Sequence, residues 1–273
     1  MSEKDKALLK EANVVLACIA KDEDNYVHEW IHYHLKLGFD QIFVYCNDWY
    51  FESQNPKVTV YDWPGNAEFI QKSVQLSAYK DFIKKHQDYD WAAFLDVDEF
   101  LCLKKHDNIK AFIKQYEQYD CIGINWVFFG DNGLKEVKNN KYSVLKRFTR
   151  RGNDAALPIK TIVKLNKDIT FENSHSPKDI KIVDTNYKIF AGPGNPKGPI
   201  DVAQINHYFV KTYQEYMENK IPKGRVSGKP NRLIDKLKPA ENLFNERNLN
   251  EIKDTVARDF MYTDHSLATI YYF

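Results

Sequence analysis

The sequence lacks the features that mark disulfide-rich, secreted and membrane-spanning proteins. Its 273 residues contain four cysteines and no C-x-x-C pair. Each cysteine lies in or beside an apolar run, which indicates buried free thiols in a reducing compartment. The charged start, MSEKDKALLKEAN, has no signal-peptide apolar region. No apolar run approaches the roughly 20 residues that a bilayer span requires.

The chain also lacks an excess of charge of either sign. Lys and Arg number 39 and Asp and Glu number 38, so nothing predicts the basic face of a nucleic-acid-binding protein. No internal repeat or low-complexity tract is present. We therefore expect a cytoplasmic protein, with peripheral contact at the inner face of a membrane left open.

The first half of the chain alternates between apolar runs and segments with helical periodicity. This alternation predicts an α/β fold with a mostly parallel central sheet. Ligands of such sheets bind at the carboxyl ends of the strands. The predicted strands are VVLACIA (14–20), QIFVYC (41–46), KVTVYDW (57–63), WAAFLDVDE (91–99) and CIGINWVFF (121–129). The predicted helices cover 26–37, with Gly38 as its stop, 66–86 with Asn66 as its cap, and 108–116.

The second half predicts a mixed, partly helical region. VLKRFTRRG, IKTIVKL and DVAQINHYFV have the composition of strands, and AGPGNPKGP is too rich in Gly and Pro for a regular element. From Lys211 onward the pattern is mostly helical and is interrupted by IPKGRVSGKP. We expect one domain over residues 1–225 and a helical C-terminal extension over residues 226–273.

One stretch, WAAFLDVDEFL (91–101), brings three carboxylates to the end of an apolar run. Buried charge must be paired or bound to a metal. The spacing of Asp96 and Asp98 suits Mg²⁺ or Mn²⁺, particularly where phosphate oxygens complete the coordination. Two alternatives remain. One carboxylate can cap the turn after the strand, or Asp96 can be the nucleophile of a dehalogenase-type phosphatase. The phosphatase motif normally lies on the first strand, whereas this one follows three β-α units.

A second motif, HEWIH (28–32), spells the H-E-x-x-H signature of zinc proteases. On a helix His28 and His32 would share a face, with Glu29 placed as a base. The motif lies on the first helix after a buried strand, and Trp30 and Ile31 belong to the apolar stripe of that helix. We therefore expect these histidines to flank a packed face.

Several segments in order resemble glycosyltransferase family 92 and related family-2-like enzymes. The resemblance begins with ACIAKDEDNYVHEWIHYHLKLGFDQIFVYCND and continues with QLSAY, DWAAFLDVDEFL and NWVFFGDNG. It extends through KTIVKL, His175 and INHYFVKTYQEYMENKIPKGR, and so covers most of residues 13–225. The resemblance implies a GT-A fold, a Rossmann-like domain that binds a nucleotide sugar.

The resemblance also implies roles for particular residues. Asp96 and Asp98 become a D-x-D pair that grips the donor diphosphate through Mn²⁺ or Mg²⁺, with His207 as a third metal or diphosphate contact. Lys211 and Arg225 become candidates for binding phosphate oxygens.

Further donor contacts are expected at the ends of the first two strands, at Lys21, Asp22, Glu23 and Asn47. The implied reaction is inverting transfer of a hexose from a nucleoside diphosphate sugar, most simply UDP-galactose or UDP-glucose. Such transfer needs a carboxylate base near the acceptor hydroxyl. Asp131 is the first candidate for this base and Glu99 is the alternative.

The expected acceptor is a glycan or lipid-linked saccharide. Animal members of the family carry a membrane anchor before the similar region, and this sequence shows none. We therefore expect a bacterial enzyme of surface polysaccharide or lipopolysaccharide synthesis. A domain that binds nucleotide sugars without turning them over is a further alternative.

Overall fold

The computed structural model describes residues 11–65, 73–138, 141–165, 169–224 and 237–263. Within these ranges ten strands form one mixed sheet, and two short strands form another. The main sheet comprises β1 (Val14–Ala20), β2 (Gln41–Cys46), β3 (Val58–Asp62), β4 (Trp91–Phe94), β5 (Glu99–Leu103), β6 (Cys121–Phe128), β8 (Ile159–Lys164), β9 (Ile182–Val183), β10 (Ile189–Phe190) and β11 (Ala203–His207); the second sheet pairs β7 (Arg150–Arg151) with β12 (Ile252–Lys253).

The central strands follow the order β10-β9-β6-β8-β4-β1-β2-β3. Strands β4, β1, β2 and β3 are parallel neighbours, while β8 runs antiparallel between β4 and β6. All seven residues of β1 are buried, as expected of a parallel strand covered on both faces. The predicted α/β class with a mostly parallel sheet is confirmed.

The helices cover both faces of this sheet. They are α1 (Val27–Lys36), α2 (Val74–Lys85), α3 (Ile109–Lys114), α4 (Val144–Arg147), a π-helix (Glu215–Lys220), α5 (Ile221–Lys223), α6 (Leu237–Arg247) and α7 (Val256–Tyr262). Trp30 of α1 packs in one core, and Phe82 of α2 packs in the other. Alternate residues of β1 contribute to the two cores, because successive side chains of a strand point to opposite faces.

Three sequence predictions need correction. WAAFLDVDE is not one strand, because β4 ends at Phe94 and a turn separates it from β5. VLKRFTRRG is not one strand either, because only Arg150–Arg151 of it forms β7. Val144–Arg147 is helical, and the Ser143 hydroxyl caps it by accepting from the Lys146 amide. The start of IPKGRVSGKP does not interrupt the helical tail, since Ile221–Lys223 continues it.

The second predicted helix is observed over Val74–Lys85, where the Ser73 hydroxyl accepts from the Leu76 amide as an N-cap. The predicted cap, Asn66, lies outside the described residues.

The described C-terminal residues, 237–263, pack against the sheet domain. The ring of Phe260 lies edge-on to Tyr33 of α1 at 5.4 Å, and the Lys36 ammonium donates to the Met261 carbonyl at 3.1 Å. The predicted division at residue 225 stays a prediction. No helix in the described ranges has the length and apolarity to cross a membrane.

Candidate active site

A cavity of about 790 Å³ opens where the carboxyl ends of β1 and β4 meet. These two strands are parallel neighbours, so the residues that follow them lie at the same edge of the sheet. Its described lining contains more carboxylates (Asp22, Glu23, Asp24, Asp96, Asp98, Glu215 and Glu218) than lysines (Lys21, Lys211, Lys220 and Lys223). The excess of negative charge in the cavity favours a cationic ligand, or an anionic ligand that binds together with a cation.

The D-x-D segment forms the turn by which the chain leaves the central sheet. After β4, the Glu99 amide donates to the Asp96 carbonyl at 3.0 Å and closes the turn. β5 then pairs antiparallel with β11, which places Glu99 directly opposite His207. The Tyr208 amide donates to the Asp98 carbonyl at 2.9 Å and extends this pairing into the turn. The sheet register thereby brings a distant histidine beside the carboxylates.

Asp96 is held by residues beneath the cavity. Its Oδ2 accepts from the Lys160 ammonium at 3.0 Å, and its Oδ1 accepts from the Gln75 amide at 3.0 Å. Lys160 is only 1% exposed and also lies 3.4 Å from Oε2 of Glu99. Burial would lower the pKa of Lys160, but Asp96 and Glu99 raise it well above its ordinary value. Lys160 is therefore a fixed positive charge under the turn.

Asp98 faces a different group of residues. Its Oδ2 lies 2.5 Å from the Lys220 ammonium and 3.5 Å from Nε2 of His207. Burial would raise the pKa of Asp98, but Lys220 and His207 hold it well below its usual range. The turn thus sends its two aspartates to different partners, whereas a continuous strand would have put them on one face.

Asp98, Glu99 and His207 form a group that could hold a cation. Each offers one ligand atom, and these atoms all lie within 4.8 Å of one another. Among the described residues, Oε1 of Glu99 and Nδ1 of His207 are buried and have no hydrogen-bond partner. Unpaired buried polar atoms are costly, and two carboxylates with an imidazole suit Mn²⁺ or another divalent ion. The donor set therefore fits the expected metal.

Burial dominates the ionisation of two of these groups. It lowers the pKa of His207, which leaves the imidazole neutral at pH 7 and able to act as a ligand. Burial raises the pKa of Glu99 well above its ordinary value, and the Asp96 and Asp98 charges raise it further against the opposing charge of Lys160. A positive charge placed beside Glu99 would favour its ionised form.

The segment after β1 forms another wall of the cavity. Lys21, Asp22 and Glu23 all line it, and Asp22 has a positive φ of 49°. Glu23 forms an ion pair with Lys223. Lys211 also lines the cavity with a positive φ of 55°, and its ammonium lies 4.4 Å from the ring centroid of Tyr26. Left-handed backbone at residues other than glycine is uncommon and concentrates at binding sites.

Other predicted site residues lie elsewhere. Asn47 is buried and is not among the described lining residues, and its side chain donates to Asp48 at 3.1 Å. Asp131 is not among the described lining residues. Its carboxylate accepts from the Gly133 amide at 2.8 Å and from the Asn250 side chain at 3.3 Å. Arg225 lies outside the described residues.

Glu29 of the HEWIH motif accepts hydrogen bonds that connect parts of the fold. Its carboxylate accepts from the Ser143 hydroxyl and the Val144 amide, both at 2.6 Å, and from the Tyr262 hydroxyl at 2.7 Å. Glu29 thereby joins α1 to the start of α4 and to the C-terminal region. His28 is exposed and lies edge-on to Phe51 at 5.6 Å.

Sequence reasoning did not select Lys160, Lys220 and Lys223 as site residues. Lys160 lies between apolar residues near the start of β8, and a buried lysine needs a carboxylate partner. That signal could have linked it to the D-x-D turn. Lys220 and Lys223 lie in a lysine-rich helical stretch whose exposed and buried lysines look alike in sequence.

A mostly parallel α/β sheet, with a group that could hold a cation and lysines near the carboxyl ends of its strands, is compatible with a nucleotide-sugar-binding fold of the GT-A type. Comparison with known proteins is consistent with this class. No family model matches the chain.

Three curated proteins, each named Glycosyltransferase family 92 protein, are similar to parts of the chain. The Oryza sativa subsp. japonica protein is 23% identical over 124 residues, which cover 42% of this chain and 20% of that protein. The Arabidopsis thaliana protein is 24% identical over 139 residues, covering 44% and 23%. The Ricinus communis protein is 30% identical over 94 residues, covering 31% and 15%.

All three matches are to proteins of the family that the sequence resembles. The matched segments span between 15% and 23% of the length of these relatives.

Proposed function

We propose that the chain is a metal-dependent glycosyltransferase that moves a hexose from a nucleoside diphosphate sugar to a saccharide hydroxyl. The observation that carries the proposal is the meeting of the D-x-D turn, the segment after β1 and several lysines around one cavity. The family 92 relatives support the reaction class. UDP is the simplest donor nucleotide, and inversion follows from the family resemblance.

We assign the cation to Asp98, Glu99 and His207. Asp96 was a predicted ligand, but Lys160 and Gln75 already bind both of its oxygens. When bound, a divalent cation offsets the negative charge that develops on the departing diphosphate. Of the three assigned cation ligands Asp98 lines the cavity, and Lys21 and Lys211, which also line it, can bind phosphate oxygens there. The excess of carboxylates over lysines explains why the donor would need the cation.

The acceptor base stays a prediction. Glu99 is fully buried beneath the turn, which favours the role of cation ligand over that of base. Asp131 is engaged with Gly133 and Asn250 outside the described cavity lining. The role in bacterial polysaccharide synthesis and the cytoplasmic location also stay predictions from the sequence.

A panel of nucleotide sugars tested by thermal unfolding, with and without Mn²⁺, examines the proposal. At a concentration one hundred times Kd, a ligand stabilises the folded state by about 2.7 kcal/mol. We expect a UDP-sugar to raise the Tm only when Mn²⁺ is present, and Asp98→Ala to abolish the shift. Asp120→Ala is the matched control, because Asp120 is 68% exposed and does not line the cavity.

Turnover separates the proposal from its alternatives. Slow, Mn²⁺-dependent release of UDP from the stabilising donor supports a transferase, and binding without release supports a non-catalytic domain. Release of phosphate from an aryl phosphate, lost in Asp96→Asn, would instead support the dehalogenase-type phosphatase. A chain that no nucleotide sugar stabilises with either Mn²⁺ or Mg²⁺ would contradict the proposed donor.

A further inference from the structure

The Lys220 ammonium contacts Oδ2 of Asp98, an oxygen that could also bind a cation held by Asp98, Glu99 and His207. Oδ2 of Asp98 is 2.5 Å from Nζ of Lys220 and 3.5 Å from Nε2 of His207. A divalent ion bound to both Asp98 and His207 would therefore meet the ammonium at close range. Two positive charges at such a distance repel each other strongly in a partly buried site.

Lys160 and Lys220, the two lysines that contact these carboxylates, differ in how far their side chains can move. Lys160 is 1% exposed and lies between Asp96 and Glu99. The side chain of Lys220 is 26% exposed, ends the π-helix Glu215–Lys220 and lies over the ring of Phe209 at 4.0 Å. Lys220 also lines the cavity, so its long side chain can move off Asp98 into open space.

The charges support the same exchange. With a divalent ion in place of the Lys220 ammonium, the ionised carboxylates of Asp96, Asp98 and Glu99 would face three positive charges, one from Lys160 and two from the ion. The cation-loaded cluster would therefore be neutral without Lys220. Neutral buried clusters are favoured over charged ones.

We infer that Lys220 is an internal counter-ion that a divalent cation displaces from Asp98, and that the displaced ammonium then binds the phosphates of the donor. The second half of this inference rests on the proposed function, and the first half does not. The exchange would couple the two ligands, because the cation frees a phosphate-binding group while the phosphates hold Lys220 away from Asp98.

The test is a Mn²⁺ titration of the nucleotide-free protein, followed by the electron paramagnetic resonance signal of free Mn²⁺. We expect Lys220→Met to bind Mn²⁺ at least tenfold more tightly than the unaltered protein, because the competing ammonium is gone. Lys223→Met is the matched control. Lys223 also lines the cavity, but it pairs with Glu23 rather than with Asp98. We expect the Mn²⁺ affinity of this variant to stay within twofold of that of the unaltered protein.

Adding Asp98→Asn to Lys220→Met should remove the gain and so locate the tight site at this cluster. Lys220→Gln gives a second variant that keeps a polar side chain, and it should show the same gain. Equal or weaker Mn²⁺ binding by both Lys220 variants, or no Mn²⁺ binding by any of the proteins, would overturn the inference.

Adding UDP tests the coupling. In the unaltered protein UDP should lower the Kd for Mn²⁺ by some factor, and in Lys220→Met that factor should be at least threefold smaller. An equal factor in the two proteins would overturn the inference that the displaced Lys220 binds the donor phosphates. If UDP binds to none of the proteins while the Mn²⁺ gain persists, UDP fails as the donor nucleotide and the counter-ion role of Lys220 stands.

Discussion

The D-x-D turn carries two lysine–carboxylate pairs that differ in which partner is buried. In the Lys160–Asp96 pair the lysine is 1% exposed and the carboxylate is 35% exposed. In the Lys220–Asp98 pair the lysine is 26% exposed and the carboxylate is 12% exposed. The buried ammonium of Lys160 cannot move away from its carboxylate partners, whereas the partly exposed ammonium of Lys220 can be replaced by another cation. The first pair therefore fixes the turn, and the second leaves Asp98 available to a ligand.

The largest expected effect comes from breaking the fixed pair. Lys160→Met leaves Asp96 and Glu99 without their buried counter-charge, and removing one partner of a buried pair costs about 3–5 kcal/mol. Urea unfolding at pH 7 measures this loss as a shift of the midpoint.

Lys164→Met is the control on the same strand. Lys164 is 34% exposed, and its partner Asp120 lies 3.8 Å away at the surface, so we expect a change within about 1 kcal/mol. Equal losses for the two variants would show that Lys160 contributes no more than a surface lysine.

An intermediate effect is expected at the start of the segment that carries Lys220. Glu215 accepts from Arg147 at 2.7 and 2.8 Å and from the Tyr26 hydroxyl at 2.6 Å. Burial would raise the pKa of Glu215, but Arg147 and these hydrogen bonds lower it to about 2. Because this pKa lies below the ordinary value of 4.5, the unfolded chain takes up the proton first as the pH falls.

The stabilisation from Glu215 is therefore complete above about pH 4.5 and is lost as the pH falls towards 2, by an amount on the order of 3 kcal/mol. The free energy of unfolding, measured from pH 6 to pH 3, should decline less steeply in Glu215→Gln than in the unaltered protein. Parallel pH profiles would mean that Glu215 does not anchor this segment through its charge.

The smallest expected effect sharpens the contrast between the two aspartates. Lys160 and Gln75 occupy the oxygens of Asp96, so Asp98→Asn should weaken Mn²⁺ binding at least tenfold more than Asp96→Asn, about 1.4 kcal/mol. Calorimetric titration of both variants measures the difference. Equal losses would restore Asp96 as the cation ligand that the sequence predicts.

Much of the fold could be predicted because its signals are local. β1, β2 and β4 are continuous apolar runs, and α1 has an apolar stripe of helical period, so their order alone indicates an α/β sheet. The strand predicted over VLKRFTRRG was wrong at Val144–Arg147, because a hydrogen bond from the Val144 amide to Glu29, distant in sequence, helps to fix a helix there.

The residues of the candidate site could also be predicted only in part from the sequence. The sequence by itself determined that acidic residues follow a buried strand at Asp96 and Asp98, and that a histidine lies near the end of another strand at His207, because strand ends are visible in the hydrophobic pattern. Only the tertiary structure decided the partners of these residues. The antiparallel pairing of β5 with β11 puts His207 opposite Glu99, and the position of β8 beside β4 puts Lys160 under Asp96. Those contacts join residues more than 60 positions apart, and no local pattern encodes which distant charge will neutralise a buried carboxylate.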